Sequence, residues 1–115
     1  LFQKGRVRAI RVEAGSAAEE AQMLLPGSRV VSAFQNISAE DLMLPDRSLG
    51  CDVIICGDDS EARERVMGLA GKIKGIRPLN GGALEYSRYT EELTALLLSM
   101  NRIYKTHTSI KVIGI

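Results

Sequence analysis

Aromatic side chains are scarce in this chain. It has no tryptophan, and its aromatics are Phe2, Phe34, Tyr86, Tyr89 and Tyr104. The three tyrosines fall in one helical segment, which argues against an aromatic sheet that stacks RNA bases. Histidine occurs once, at His107, and cysteine twice, at Cys51 and Cys56. In CDVIIC the thiols stand five positions apart on an expected strand, so they point to opposite faces. They are placed neither to bond to each other nor to share a metal, and His107 adds too few ligands for a metal site. Two partly buried thiols in a reducing cytosol are the expectation. No apolar run approaches the ~20 residues that span a bilayer, and no signal peptide is present. A cytoplasmic protein without a membrane partner follows. Neither sign of charge dominates: 15 basic against 14 acidic side chains give a net +1. That balance argues against a nucleic-acid partner. Glycine-rich phosphate loops are also missing. The apolar run before Asp58-Asp59 resembles a Walker B segment, but no G-x-x-x-x-G-K-[ST] accompanies it. No Ser–His–Asp or Cys–His arrangement is evident, and no catalytic residue is assigned. Asp58-Asp59 and Glu91-Glu92 read as solvated or capping acids rather than as a hydrolytic pair.

What is present is an ordinary globular composition. The chain has 115 residues, 45% of them hydrophobic and 25% charged, which suits one domain with its own core. Residues 1–13 alternate basic and apolar side chains, with Arg6, Arg8 and Arg11 between Val7, Ile10 and Val12. They read as an edge strand guarded by charge, or as a basic patch for phosphate. Ser16 and Glu19 have capping-box spacing at the start of a helix that Pro26-Gly27 ends. Arg29 to Phe34 is an expected strand running into Gln35-Asn36. Polar groups at a strand's carboxyl end mark the place where α/β sheets bind ligands. Ser38 with Asp41 suits the cap of a short helix through Leu44, closed by Pro45. Asp52 to Cys56 is a second strand. A helix over Ser60 to Lys74 follows, capped by Asp58 or Asp59. Ile76 to Leu79 is a third strand, Asn80-Gly81-Gly82 a turn, Ala83 to Tyr104 a long helix and Ile110 to Ile115 a last strand. The order predicts an α/β fold, a small sheet flanked by helices, with neighbouring strands tending to be parallel.

The long helix is apolar on nearly every side from Leu93 to Met100. Its main stripe, Tyr86, Tyr89, Leu93, Leu96 or Leu97, Met100 and Ile103 or Tyr104, reads as core. The excess suggests a partner beyond the chain's own core. Thr94, Leu98 and Asn101 form a separate stripe. They are either polar groups between packed helices or one wall of a ligand site, with Gln35, Asn36 and Ile37 opposite and Ser87 and Arg88 nearby. Hydride transfer between two organic cofactors needs only such a lining, because the cofactors carry the chemistry.

At these residues a family resemblance appears. VVSAFQNISA (Val30 to Ala39), DVIICGDD (Asp52 to Asp59), GIRPLNGGALEYSRYTEELTALLLSMNRI (Gly75 to Ile103) and GSAAEEAQ (Gly15 to Gln22) resemble the C-terminal half of the NADPH-dependent coenzyme F420 reductases. These archaeal and actinobacterial oxidoreductases pass a hydride between NADP and a 5-deazaflavin. The resemblance covers nearly the whole chain. It implies an α/β fold continuing from a Rossmann-type domain, with a long buried C-terminal helix. It implies one α/β domain over 1–115, in which 1–57 ends the Rossmann-type sheet region and 58–115 is the small C-terminal domain. The NADP-binding G-x-G-x-x-G turn is absent from the chain, so the expectation is a polypeptide that has no complete active site and is inactive by itself. By resemblance it contributes the deazaflavin side of the cleft and homodimer contacts through the Ala83–Tyr104 helix. Gln35 and Ile37 would lie at the ring with Asn36 beside them, Thr94 and Leu98 would line it, and Arg88 would orient the cofactor or hold the cleft. Gln35 stands where such enzymes carry histidine. An amide donates a hydrogen bond but does not titrate near neutral pH, so no acid–base role is expected there. The alternatives are a non-catalytic assembly module, or a related NADPH-dependent reductase with a flavin or metal-chelate acceptor.

Overall fold

The run CDVIICG becomes the centre of the molecule. Its β-branched and small apolar residues suit a strand covered on both faces. In the computed structural model, which describes residues 2–3, 6–44, 46 and 48–115, this strand is β4, Cys51–Gly57. All but Ile54 of its residues are buried. The elements before it are β1 (Phe2–Gln3), β2 (Arg6–Val7), α1 (Ala17–Leu24), β3 (Val31–Ser32) and α2 (Ala39–Leu42); after it come α3 (Ser60–Ala70), β5 (Ile76–Gly82), a 3-10 turn (Leu84–Tyr86) and α4 (Ser87–Tyr104). The main sheet has the order β3-β4-β5. β4 and β5 are parallel, from Cys51 opposite Ile76 to Cys56 opposite Gly82, with an irregularity between Ile55 and Cys56. β3 is antiparallel to β4, with Val31 opposite Gly57. The small sheet is therefore mixed. The connection through α2 brings the chain back against β4 in the opposite sense, where helix-linked neighbours had suggested parallel pairing. β4 and β5 come from either side of residue 57 and share this sheet.

Period-two alternation sorts β4 into two faces. Cys51, Val53 and Ile55 join Ala70 and Ile76 in the core, with Val66, Met67 and Ile73 packed against them. The other face carries Asp52 and Cys56, so the cysteines do lie on opposite faces, both free and buried. Burial raises both thiol pKa values, which keeps them protonated and unreactive.

Caps account for the helix starts. Ser16 Oγ accepts the Glu19 N–H at 3.1 Å and donates to Glu19 Oε2 at 2.7 Å. Asp59 Oδ1 accepts the Ala62 N–H at 2.8 Å. Glu91 was expected to be solvated or capping, and here it caps: its carboxylate accepts Ala17 N–H at 2.8 Å and Ala18 N–H at 3.1 Å. The exposed amides of the α1 N-terminus thus gain a negative partner from α4. Ser38 differs from expectation. It precedes α2 but makes no capping bond, and α2 stops at Leu42. Pro45, expected to close it, lies outside the described residues, as does part of the segment 1–13.

Two further expectations change. Asn80-Gly81-Gly82 is the end of β5, not a turn after it. A Cβ on Gly81 would lie 2.6 Å from both Cys56 Sγ and Ile54 Cγ2, so glycine is there to let the strands approach. Ile110–Ile115 forms no strand. One backbone bond, Asp52 N–H to the Ile110 carbonyl at 2.9 Å, and side chains hold it: Asp52 Oδ2 accepts the Val112 N–H at 2.6 Å, and Arg77 Nη1 donates to the Ile115 carbonyl at 2.6 Å.

The long helix is present, with a different face inward. Ser87, Thr90 and Leu97 are its buried residues, and Ser87 Oγ meets Ser32 Oγ at 2.6 Å. Small hydroxylated side chains let α4 approach the sheet closely. The stripe read as core is inward only in part: Leu97 is buried and Leu93 and Met100 are half-buried, while Tyr89, Leu96 and Ile103, seven positions apart, are 58%, 56% and 69% exposed. No helix among the described residues is long and apolar enough to cross a membrane.

Candidate functional site

The chain leaves β3 through Phe34, which takes the left-handed backbone conformation at φ 70°. A bulky residue rarely adopts that conformation, and it is found where the surrounding structure enforces it. The consequence is local. The chain turns at Gln35 and lays Gln35–Ile37 along α4. Thr94 Oγ1 donates to the Gln35 carbonyl at 2.7 Å. Asn36 is buried, and its Nδ2 donates to the Thr90 carbonyl at 2.8 Å and reaches Thr94 Oγ1 at 3.3 Å. The backbone of this loop is therefore fixed by the helix it faces.

Between loop and helix lies a cavity of about 660 Å³, within the usual range for small-molecule sites. Gln35, Asn36, Ile37, Thr94 and Leu98 all line it. Five of the six residues singled out in the sequence are brought together. The sixth, Arg88, is not among them. Its Nη2 donates to Glu19 Oε1 at 2.8 Å, tying α1 to α4, and the bond to Glu19 raises its pKa further. Arg88 lines a neighbouring cleft, shared with Thr94 and Leu98 on the Arg8–Val12 side of the helix.

Gln35 lines the cavity, while its Oε1 is buried without a hydrogen-bond partner among the described residues. An unpaired buried acceptor costs about 1–3 kcal/mol. Val7, Ile37, Leu97 and Leu98 supply apolar wall.

Three contributors were not assigned from the sequence. Asn101 was noted only as a continuation of the Thr94–Leu98 stripe. It lines the cavity and holds the returning chain, because its Oδ1 accepts the Thr108 N–H and Oγ1, each at 2.6 Å. His107 was read as an exposed histidine in a polar tail, and it is exposed. It also lines the cavity, with Nδ1 3.4 Å from Asp41 Oδ1 and Nε2 3.5 Å from Glu40 Oε2. No spacing signal predicts this. The return is made by Lys105, whose φ of 51° ends α4 in the left-handed conformation. Val7 arrives from the amino-terminal hairpin, which no local pattern connects to the cavity.

No protein-family model matches the chain. Comparison with individual proteins is informative. Over 92 residues, 80% of this chain, it is 45% identical to the F420-dependent NADP reductase of Methanocaldococcus jannaschii, of which the match covers 41%. Over 83 residues it is 39% identical to the rat metalloreductase STEAP3, covering 72% of this chain and 17% of that protein. Among solved structures, a candidate F420-dependent NADP reductase from Arthrobacter sp. FB24 superposes with a TM-score of 0.79 at 21% identity, over 90% of this chain and 48% of that one. The fold is thus one found in a reductase-like crystal structure. In sequence the chain is a relative of the F420-dependent NADP reductases, and it spans about two fifths of the length of the curated members it matches, 41% in the first case.

Proposed function

We propose that this chain forms the deazaflavin side of the active cleft in an oxidoreductase that passes a hydride between NADP(H) and coenzyme F420. The observation that carries the reading is the convergence of Gln35, Asn36, Ile37, Thr94 and Leu98 on one cavity. The lining fits a planar heteroaromatic ring. Ile37 and Leu98 give it apolar faces, and the Gln35 amide is the polar side chain beside them. Coenzyme F420, when bound, supplies a carbon that accepts or releases hydride. The protein's part is to position and to exclude water. Thr94 has a structural share in this, because its bond to the Gln35 carbonyl sets where the amide stands. Asn36 acts through α4 in the same way. Arg88 braces α1 against α4 through Glu19 and so holds the cleft. No side chain in the cavity is required to titrate.

NADP would be bound mainly by a dinucleotide-binding region that these 115 residues do not contain, since they include no G-x-G-x-x-G. The polypeptide by itself is then inactive. Mixed with NADPH and oxidised F420, it should leave the deazaflavin absorbance unchanged over minutes; rapid bleaching would overturn this part of the reading. The exposed Tyr89–Leu96–Ile103 line supports a homodimer through α4, because an apolar helix face of this kind is seldom left in water. The cytoplasm, where reduced nicotinamide is available, is the proposed location.

The similarity to STEAP3, a metalloreductase by name, favours one second reading: the same cavity in a reductase that passes electrons to another acceptor. The two are separated by offering F420 and riboflavin in parallel binding titrations. Preference for F420 supports the first reading and preference for riboflavin the second.

A further inference from the structure

The basic residues at the start of the chain have no part in the reading above. Arg6 in β2 and Arg8 just after it flank Val7, and alternation places both on one side of the ribbon. They line a groove of about 390 Å³ whose other wall is α4, at Ser99, Arg102 and Ile103. The groove adjoins the main cavity: Val7 and Arg102 line both. Lys105 stands on the cavity's side of the same helix end.

These arginines differ from the other described arginines. Arg11 pairs with Glu92, Arg29 with Asp59 and Glu61, Arg65 with Glu61, Arg77 with Asp52 and Arg88 with Glu19. Arg63 donates to the Gly57 and Gly82 carbonyls. Arg6, Arg8 and Arg102 have no acidic partner among the described residues. A cation at the end of α4 suits the helix dipole, and arginines beside a short strand guard an edge. The first rule accounts for Arg102 and the second for Arg6 and Arg8, each on its own element. Neither explains why three uncompensated guanidinium groups meet on one groove in a chain whose net charge is only +1, where mutual repulsion opposes the arrangement.

We infer that this groove binds the phosphate or carboxylate groups of the ligand whose ring lies in the adjoining cavity. Guanidinium groups match such oxyanions with paired N–H donors. The inference rests on the deazaflavin reading for the ligand's identity and on the groove itself for the charge. Two sources have this chemistry, an anionic appendage of the deazaflavin and the phosphates of the nicotinamide nucleotide.

The test uses the full chain and inorganic pyrophosphate, followed by titration calorimetry. Pyrophosphate should bind, more weakly as salt is raised. Arg6→Gln, Arg8→Gln and Arg102→Gln should each weaken it about fivefold, the equivalent of one lost exposed charge contact. Arg65→Gln, on α3 and outside the groove, should change nothing. Displacement by F420 assigns the anionic groups to the deazaflavin, and displacement by NADP assigns them to the nucleotide; either supports the inference. Pyrophosphate held by the three arginines but displaced by neither keeps the anion groove and overturns the deazaflavin reading of the cavity. No pyrophosphate binding, or three variants that bind like the unaltered chain, overturns the groove.

Discussion

Thr94 Oγ1 donates to the Gln35 carbonyl at 2.7 Å, and this bond joins the two walls of the cavity. Thr94 Oγ1 also lies 3.2 Å from the Thr90 carbonyl in its own helix, so the hydroxyl serves both walls. Thr94→Val keeps the shape and removes the donor. It should cost about 1–2 kcal/mol in urea unfolding, because the Gln35 carbonyl is left without that partner. Thr94→Ser, which retains the hydroxyl, should cost less. Equal losses in the two variants would mean that the methyl packing matters and the bond does not.

Gln35 should show the opposite balance between stability and binding. Its buried Oε1 has no partner in the free chain. Gln35→Leu removes an unsatisfied group, so the variant should be as stable as the original or more so, by up to about 1 kcal/mol. It should also bind F420 at least about tenfold more weakly, since the amide that lines the cavity is gone. Thermal melts and a fluorescence titration on the same samples read both quantities. A less stable variant with unchanged binding would make Gln35 a structural residue.

How much of this was legible in the sequence depends on the range of each interaction. Caps at Ser16 and Asp59, the buried strand Asp52–Cys56 and the long helix are local matters of spacing and side-chain chemistry, and they are found as expected. The Gln35–Ile37 and Thr94–Leu98 groups were named as facing walls from a strand-end rule and a helical stripe, and they do face each other. What failed depended on tertiary approach. Gly81 looked like a turn residue because glycine's freedom and its lack of a side chain leave the same mark in a sequence. Tyr89, Leu96 and Ile103 were counted in a core stripe whose alternative member Leu97 is the buried one, because periodicity shows that a helix has an apolar face, not what covers it. His107 is exposed as expected, and only its place at the cavity went unread, because it comes through a single left-handed residue, Lys105, which no pattern announces.

Gly81→Ala follows from that close approach. A methyl group placed 2.6 Å from Cys56 Sγ and Ile54 Cγ2 forces β4 and β5 apart. The expected loss is about 1–3 kcal/mol, as for overpacking elsewhere. Gly27→Ala, at a position where a Cβ meets nothing within 4 Å, is the control and should be near neutral in the same denaturation series.

The tail strap should be pH-dependent in a defined direction. Asp52 accepts from Arg77 Nε at 2.8 Å and Nη2 at 2.7 Å. These bonds, working against burial and aided by the Val112 N–H, lower its pKa from 3.8 to about 2. A carboxylate with a depressed folded pKa contributes stability that is full above its unfolded value and lost as pH falls through the folded one. The chain and its Asp52→Asn variant should therefore differ most above pH 4 and converge towards pH 2 in urea unfolding. Parallel curves across that window would show that the pair does not couple protonation to folding.

The central claim is that the Gln35–Thr94 cavity receives the deazaflavin. Its most direct measurement is the fluorescence titration of F420 with the full chain, repeated with the NADP-binding portion of a curated relative present. Saturable binding is predicted for the chain, weakened by Gln35→Leu and by Leu98→Ala, and unaffected by Leu69→Ala on the exposed face of α3. No binding of F420, with or without that portion, would contradict the account and leave the chain as an assembly module.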